Sequence, residues 1–397
     1  MLSPEPPYPL RGGGAFRIAS LLHYFSRFAD VDLIFLSDSG KAADIPSGLV
    51  RRQVVVPLPA HSRKQAARYW RNARRAWKGV PPLVDRMAGL EAQVARALEG
   101  EHYDLGLVEH FWPANYVEQL KPHCDQMFLD LHNVESTLHE RCAVTAGGLV
   151  AAGHRYFGRR CRALEACVLP QYSLVLATSA VDREQVRRIA PEATSAVYPN
   201  AYPYTERTDV PFDPATVVFS GNFEYHPNID GVRYLMRDIW PLIAARVPGV
   251  RLLLVGKGAE FVRAYVDGTA GVEMTGPVED AVGQIARGAV VIAPLRTGSG
   301  TRLKILEAWA ARRAVVATPL AAEGLDVVSG QNALLVDEPA NFAEAVCRLL
   351  ANAPQRQALA DNGLQTLRDK YTWEAAWVTL DTLPQVTRFR ELSSYTG

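Results

Sequence analysis

VVIAPLRTGSGTRLKILEAWAARRAVVATPLAAEGL, residues 290–325, reads as an apolar strand, a glycine-rich turn, an apolar helix and a second apolar strand. Val290, Val291, Ile292 and Ala293 form the short continuous run expected of a strand covered on both faces, and Pro294 ends it. Gly298-Ser299-Gly300-Thr301 then supplies small residues where the backbone turns sharply and leaves amides free. Arg302-Leu303-Lys304-Ile305-Leu306-Glu307-Ala308 reads as a helix start. Free amides, the positive end of a helix and two cations point at one anion, most naturally a phosphate. Glu307 lies one turn after Lys304, on the same side of the helix, where a carboxylate can accept hydrogen bonds from sugar hydroxyls. A plain glycine-rich connection with a solvated Arg302 and Lys304 fits the same letters, so the surrounding sequence has to decide.

Beyond the helix, Ala314 to Thr318 is another buried strand, followed by Pro319, Glu323-Gly324-Leu325 and the apolar Ala333 to Val336. The run from Pro294 through Gly324 resembles the donor-binding segment of retaining, family 4 glycosyltransferases of the GT-B architecture. The resemblance is strong over residues 215–375 and diffuse before them. It implies an α/β protein with two Rossmann-like domains facing each other across a cleft. An N-terminal acceptor-binding domain would span 1–200, a linker 201–214, the nucleotide-sugar domain 215–375, and a last helix, 376–397, would return to the first domain. Members of that family usually carry two glutamates separated by seven residues. Here the second is Glu307, and the first position holds Ser299.

Composition bounds the reading from outside. A chain of 397 residues, 48% hydrophobic and 21% charged, has room for two globular domains. No apolar run approaches the roughly 18 residues of a membrane span. The start, Met1-Leu2-Ser3-Pro4-Glu5-Pro6-Pro7, has neither the basic end nor the apolar centre of a secretory signal. Five cysteines without a C-x-x-C pair argue against a disulfide framework or a structural zinc site. A cytoplasmic protein with no metal and no cofactor beyond its co-substrate is expected. The net charge of +1 is too small for a general nucleic-acid binder.

Toward the N-terminus, Gly12-Gly13-Gly14 opens a helical pattern from Ala15 to Phe28. Taken alone this is a flexible turn; the resemblance implies that Gly13 and Gly14 face the donor phosphates. Val31–Leu36 and Val54–Leu58 read as strands, and Val84–Leu98 as one helix. Tyr103–Glu109 and Gln126–Leu131 are buried strands, the second ending at His132-Asn133-Val134-Glu135. Polar residues just past a parallel strand stand where open α/β sheets bind ligands. The resemblance implies that His132 contacts the transferred sugar, and Glu135 is a candidate on the acceptor side.

One segment is unlike its surroundings. Residues 61–78 hold Arg63, Lys64, Arg68, Arg71, Arg74, Arg75 and Lys78 with no acidic residue, interleaved with Tyr69, Trp70 and Trp77. A basic aromatic helix fits a peripheral membrane contact or an anionic, lipid-linked acceptor; a solvated helix face fits as well.

In the second half, Val217–Phe223 ends in the turn Ser220-Gly221-Asn222, and Asn228–Ile243 reads as a helix. Many relatives place an Arg and a Lys after this strand to hold the diphosphate; Asn222 and Glu224 stand here instead, which leaves Arg302 and Lys304 to neutralise it. Gly256-Lys257-Gly258 lacks the third glycine of a dinucleotide fingerprint, since Phe261 occupies it. Val272 to Val278 resembles the family's loop that reads the nucleotide base through its backbone, which implies that Gly276 and Val278 lie against the base. The expected activity is transfer of a sugar, with retention, from a nucleotide diphosphate sugar to an acceptor hydroxyl in polysaccharide or other glycoconjugate biosynthesis. A nucleotide-sugar epimerase of the same architecture, a nicotinamide-dependent oxidoreductase and a non-catalytic nucleotide-sugar binder are the alternatives.

Overall fold

The computed structural model describes residues 1–60, 65–206, 211–298 and 303–395. The chain divides into two units, Met1–Asn200 with Ala376–Gly397, and Ala201–Ala375.

The first unit is built on a parallel sheet of β1 (Leu2–Ser3), β2 (Asp32–Ser37), β3 (Arg52–Pro57), β4 (Tyr103–Glu109), β5 (Cys124–Asp130), β6 (Leu174–Ala177) and β7 (Ser195–Val197), in the order β3-β2-β1-β4-β5-β6-β7. β1 is two residues long and yet central, pairing with both β2 and β4. The strand order reverses beside it, and sheets of this kind bind ligands past the carboxyl ends of strands at such a switch point. The helix Gly13–Phe25 follows β1 and buries Ile18, Ala19, Leu21 and Leu22. Where one helix over Val84–Leu98 is expected, there are two, Pro82–Met87 and Glu91–Leu98. Gly89 between them takes φ +85°, a conformation that breaks a helix and suits glycine. A long helix runs from Gly148 to Val168. The C-terminal segment packs within this unit: Tyr24 donates to Asp381 at 2.7 Å, and Trp377 Nε1 to Ser20 Oγ at 3.1 Å.

The second unit repeats the plan with β8 (Asp213–Ser220), β9 (Arg251–Val255), β10 (Val272–Met274), β11 (Gly288–Ala293), β12 (Ala314–Ala317) and β13 (Leu334–Leu335), ordered β10-β9-β8-β11-β12-β13 and parallel throughout. Every residue of β11 and β12 is buried, as their unbroken apolar runs require of strands covered on both faces. The switch point here lies between β8 and β11. The helix expected over Asn228–Ile243 is a composite of His226–Tyr234, a wider turn at Leu235–Ile239, and Trp240–Arg246. Pro241 near the start of the last piece has no amide proton to continue the preceding ladder. Residues 201–206, part of the expected linker, belong to this unit, where the Tyr202 amide donates to the Tyr371 carbonyl at 2.8 Å.

Candidate functional sites at the two switch points

In the second unit, the helix Leu303–Ala310 begins beyond the end of β11. Its Lys304 is only 9% exposed, and its Nζ donates to Asn228 Oδ1 at 2.8 Å while lying 5.5 Å from the Phe219 ring centre. Asn228 Nδ2 in turn donates to the Asn222 carbonyl at 2.8 Å. The ammonium is thereby held over the end of β8, beside Gly221 and Asn222. Glu307, one turn on and partly exposed, places Oε2 3.5 Å from Ser220 Oγ. Burial raises its pKa, with Lys304 pulling it back.

The turns after the strands are locked by close approach. A Cβ on Gly256 would stand 2.0 Å from the Gly221 carbonyl oxygen, and one on Gly221 would stand 2.8 Å from Asn228 Nδ2. Only glycine lets these turns touch. Gly276 has φ +69° and pairs with Gly256, while the half-buried Val278 packs against the core. Thr275 Oγ1 donates to the Gly276 carbonyl at 2.8 Å and accepts from the Gly256 amide at 3.2 Å. Glu224, where a cation is common in the resembling family, pairs with the exposed Lys257 at 3.0 Å. Lys304, Glu307, Gly221 and Asn222 are thus brought together, with Gly276 joined to them through Gly256. Ser299, Gly300, Thr301 and Arg302 lie outside the described residues.

The first unit gathers a second cluster at its own switch point. His132, just past β5, sets Nε2 3.1 Å from Glu109 Oε2 and 3.5 Å from Asp130 Oδ2. Arg17, buried in the helix after β1, holds both Asp130 oxygens at 2.6 Å and also donates to the Tyr198 carbonyl at 2.9 Å and Asn200 Oδ1 at 2.8 Å. Gly14 admits this arrangement: a Cβ there would lie 2.1 Å from Glu5 Oε1 and 3.8 Å from His132 Nδ1. Gly13 is the first residue of the same helix.

Burial dominates the electrostatics. It pushes Glu109 up to about 7 and Asp130 up to about 6, against the opposing pull of Arg17. It also drives His132 down to about 4, and His110 well below its usual value. His132 is therefore neutral near pH 7. With an ionised carboxylate accepting from Nε2–H, its Nδ1 becomes an acceptor on the side of Gly14. Glu109, Asp130 and His132 are close enough to share an ion, their ligand atoms lying within 4.8 Å of one another. Arg17 already occupies both oxygens of Asp130, so the guanidinium supplies the balancing charge.

Glu135 joins the cluster indirectly. Its Oε1 accepts from Trp112 Nε1 at 2.9 Å; Trp112 stacks on His110 at 3.5 Å between ring centres, and His110 lies 4.7 Å from the His132 ring. Burial raises Glu135 to about 7 as well. Arg17, Glu109, Asp130 and His110 are absent from the residues that sequence alone singles out. The available signal was three ionisable groups, Glu109, His110 and Asp130, at the ends of consecutive strands.

Residues 214–352 match the family model described as Glycosyl transferases group 1. A curated relative, an uncharacterized 44.6 kDa protein in the cps region of Klebsiella pneumoniae, is 23% identical over 163 residues, 39% of this chain. The match spans 42% of that relative's length. Among solved structures, a sucrose-phosphate synthase from Thermosynechococcus elongatus superposes with a TM-score of 0.73 at 19% identity, covering 99% of this chain and 98% of that one. The Anabaena protein HepE, solved with UDP and glucose, gives 0.63 at 15% identity over 96% and 99% of the two chains. A UDP-forming α,α-trehalose-phosphate synthase from Burkholderia vietnamiensis gives 0.63 at 14% identity over 98% and 99%. The shared fold is GT-B.

Proposed function

We propose, from a chain of GT-B fold whose residues 214–352 match the glycosyl transferases group 1 model, that this protein is a retaining glycosyltransferase. It moves a sugar from a nucleotide diphosphate sugar to an acceptor hydroxyl in polysaccharide, glycolipid or other glycoconjugate biosynthesis. The observation that carries the reading is Lys304, held by Asn228 beside Gly221 at the switch point of the matched unit. As the bond between the anomeric carbon and the diphosphate breaks, the leaving oxygen keeps the electron pair, and a fixed ammonium stabilises the charge that develops there. Arg302 supplies a second cation, so no metal or cofactor takes part. Glu307 accepts from donor hydroxyls, Gly13 and Gly14 admit the donor phosphates, and Gly276 and Val278 meet the base. His132 Nδ1 accepts from a hydroxyl of the transferred sugar. Glu135 borders the acceptor, which is lipid-linked or anionic. HepE was solved with UDP and the Burkholderia synthase is UDP-forming, which supports UDP as the first nucleotide to try.

The test is calorimetric titration with UDP, GDP, dTDP, ADP, CDP and NAD, repeated for Lys304→Ala. One diphosphate binding selectively, and at least about tenfold more weakly to the variant, is the expected result. Undiminished binding to Lys304→Ala would overturn the site. The raised carboxyls of Glu109 and Asp130 beside a neutral His132 favour one second reading, a nucleotide-sugar epimerase, because such a reaction needs acid and base groups. Conversion of the sugar without any acceptor separates the two.

A further inference from the structure

We infer that a face of the first unit docks on an anionic phospholipid surface. The helix Gln65–Lys78 turns both of its tryptophans outward: Trp70 is 80% exposed and Trp77 87%. A stable core buries such rings, so their exposure at positions seven apart, on one side of the helix, calls for a partner. Arg74 and Lys78 share that side and form no ion pair among the described residues. On the same helix Arg75 is taken up by Asp85 at 2.7 Å, and on the neighbouring helix Arg162 by Glu140 at 3.1 Å.

The face continues onto a second helix. Tyr156 donates to the Ala76 carbonyl at 2.6 Å and Arg160 Nε to the Gly79 carbonyl at 2.9 Å, which seats Gly148–Val168 against the end of the basic helix. Leu149 precedes Tyr156 by close to two full turns, on the same side of that helix, and is 93% exposed. Exposed Val150 and Arg155 flank this row.

Charge complementarity selects the occupant. The segment 61–78 carries seven Lys and Arg and no acid, so it is matched to a surface rich in phosphate. Outward indoles between cations suit the boundary of headgroup and acyl chain, where the ring is buried and its N–H stays wet. A helix of 14 residues is too short to span a bilayer and lies in its surface. This inference stands apart from the donor site and would bring the enzyme to a lipid-borne acceptor.

Sedimentation of the full chain with vesicles tests it, using phosphatidylcholine alone and phosphatidylcholine containing about 30% phosphatidylglycerol. Binding to the anionic vesicles, weakened by salt, is expected, with about a tenfold loss in Trp70→Ala/Trp77→Ala and a similar loss in Arg74→Glu/Lys78→Glu. Unchanged melting temperature and nucleoside diphosphate binding in both variants would show that only the surface was altered. Equal binding to both vesicles, binding to neither, or undiminished binding of the variants would overturn the inference and leave the donor site untouched. A concentration-dependent dimer that both variants abolish would assign the face to a second copy and overturn it too.

Discussion

Arg17 and Asp130, 113 residues apart in the chain, form a bidentate pair with both contacts at 2.6 Å and neither side chain more than 2% exposed. An ion pair so enclosed contributes little net stability against apolar replacements, yet losing one partner leaves a bare buried charge. The further bonds of Arg17 to the Tyr198 carbonyl and Asn200 fix the stretch after β7 against the same helix. The pair orients Asp130, and with it the carboxylate side of His132.

Arg17→Ala should lower unfolding free energy by about 3–5 kcal/mol, read from denaturant titration. Arg17→Met combined with Asp130→Leu should recover part of that loss. Arg287→Ala, which removes an exposed pair with Glu273, should change stability by about 0.5 kcal/mol or less. A similar small effect for Arg17→Ala would refute the buried pair.

Glu109 gives the pH dependence its sign. A carboxyl whose pKa rises on folding, here to about 7, holds its proton more tightly in the folded state. Its stabilising contribution is complete below the unfolded pKa and is lost as pH rises through the folded one. Glu109→Gln carries no such proton, so relative to the parent it should gain stability between about pH 5 and about pH 8. His132, depressed to about 4, acts in the opposite sense but is common to both proteins. Denaturant titrations at the two pH values check the sign.

Under the proposed function, in which the imidazole serves the sugar and not the diphosphate, His132→Ala should reduce kcat by about 100-fold while nucleoside diphosphate affinity stays within about twofold. Steady-state rates and calorimetry on one preparation separate these effects. Loss of diphosphate binding would show that the residue acts elsewhere.

Gly256→Ala should cost about 1–3 kcal/mol and weaken diphosphate binding, because the new Cβ would be driven against the Gly221 carbonyl oxygen at 2.0 Å. Gly276→Ala meets nothing within 4 Å and bears only the strain of φ +69°, about 1 kcal/mol. Thermal melts of the two variants should rank them in that order.

The second unit was the more legible half. β11 and β12 are short unbroken apolar runs, and a run of that kind is visible within a few residues of itself. Lys304 and Glu307 were found the same way, one helical turn apart after a glycine-rich turn. The single helix over Val84–Leu98 failed because its apolar periodicity continues through Gly89, whose backbone does not. At the His132 cluster only one member was read. Glu109 and Asp130 stand at the ends of β4 and β5 and Arg17 on the helix after β1, and nothing local in the sequence joins them.

The sequence by itself determined the alternation of strands and helices, because each element is written in contacts between near neighbours. Tertiary structure alone decided that Arg17, Glu109, Asp130 and His132 meet. Their meeting depends on β1, two residues long, taking the centre of a parallel sheet with β4 beside it and β5 beside β4. The same burial that removes water from the four groups sets their protonation, and burial belongs to the assembled sheet.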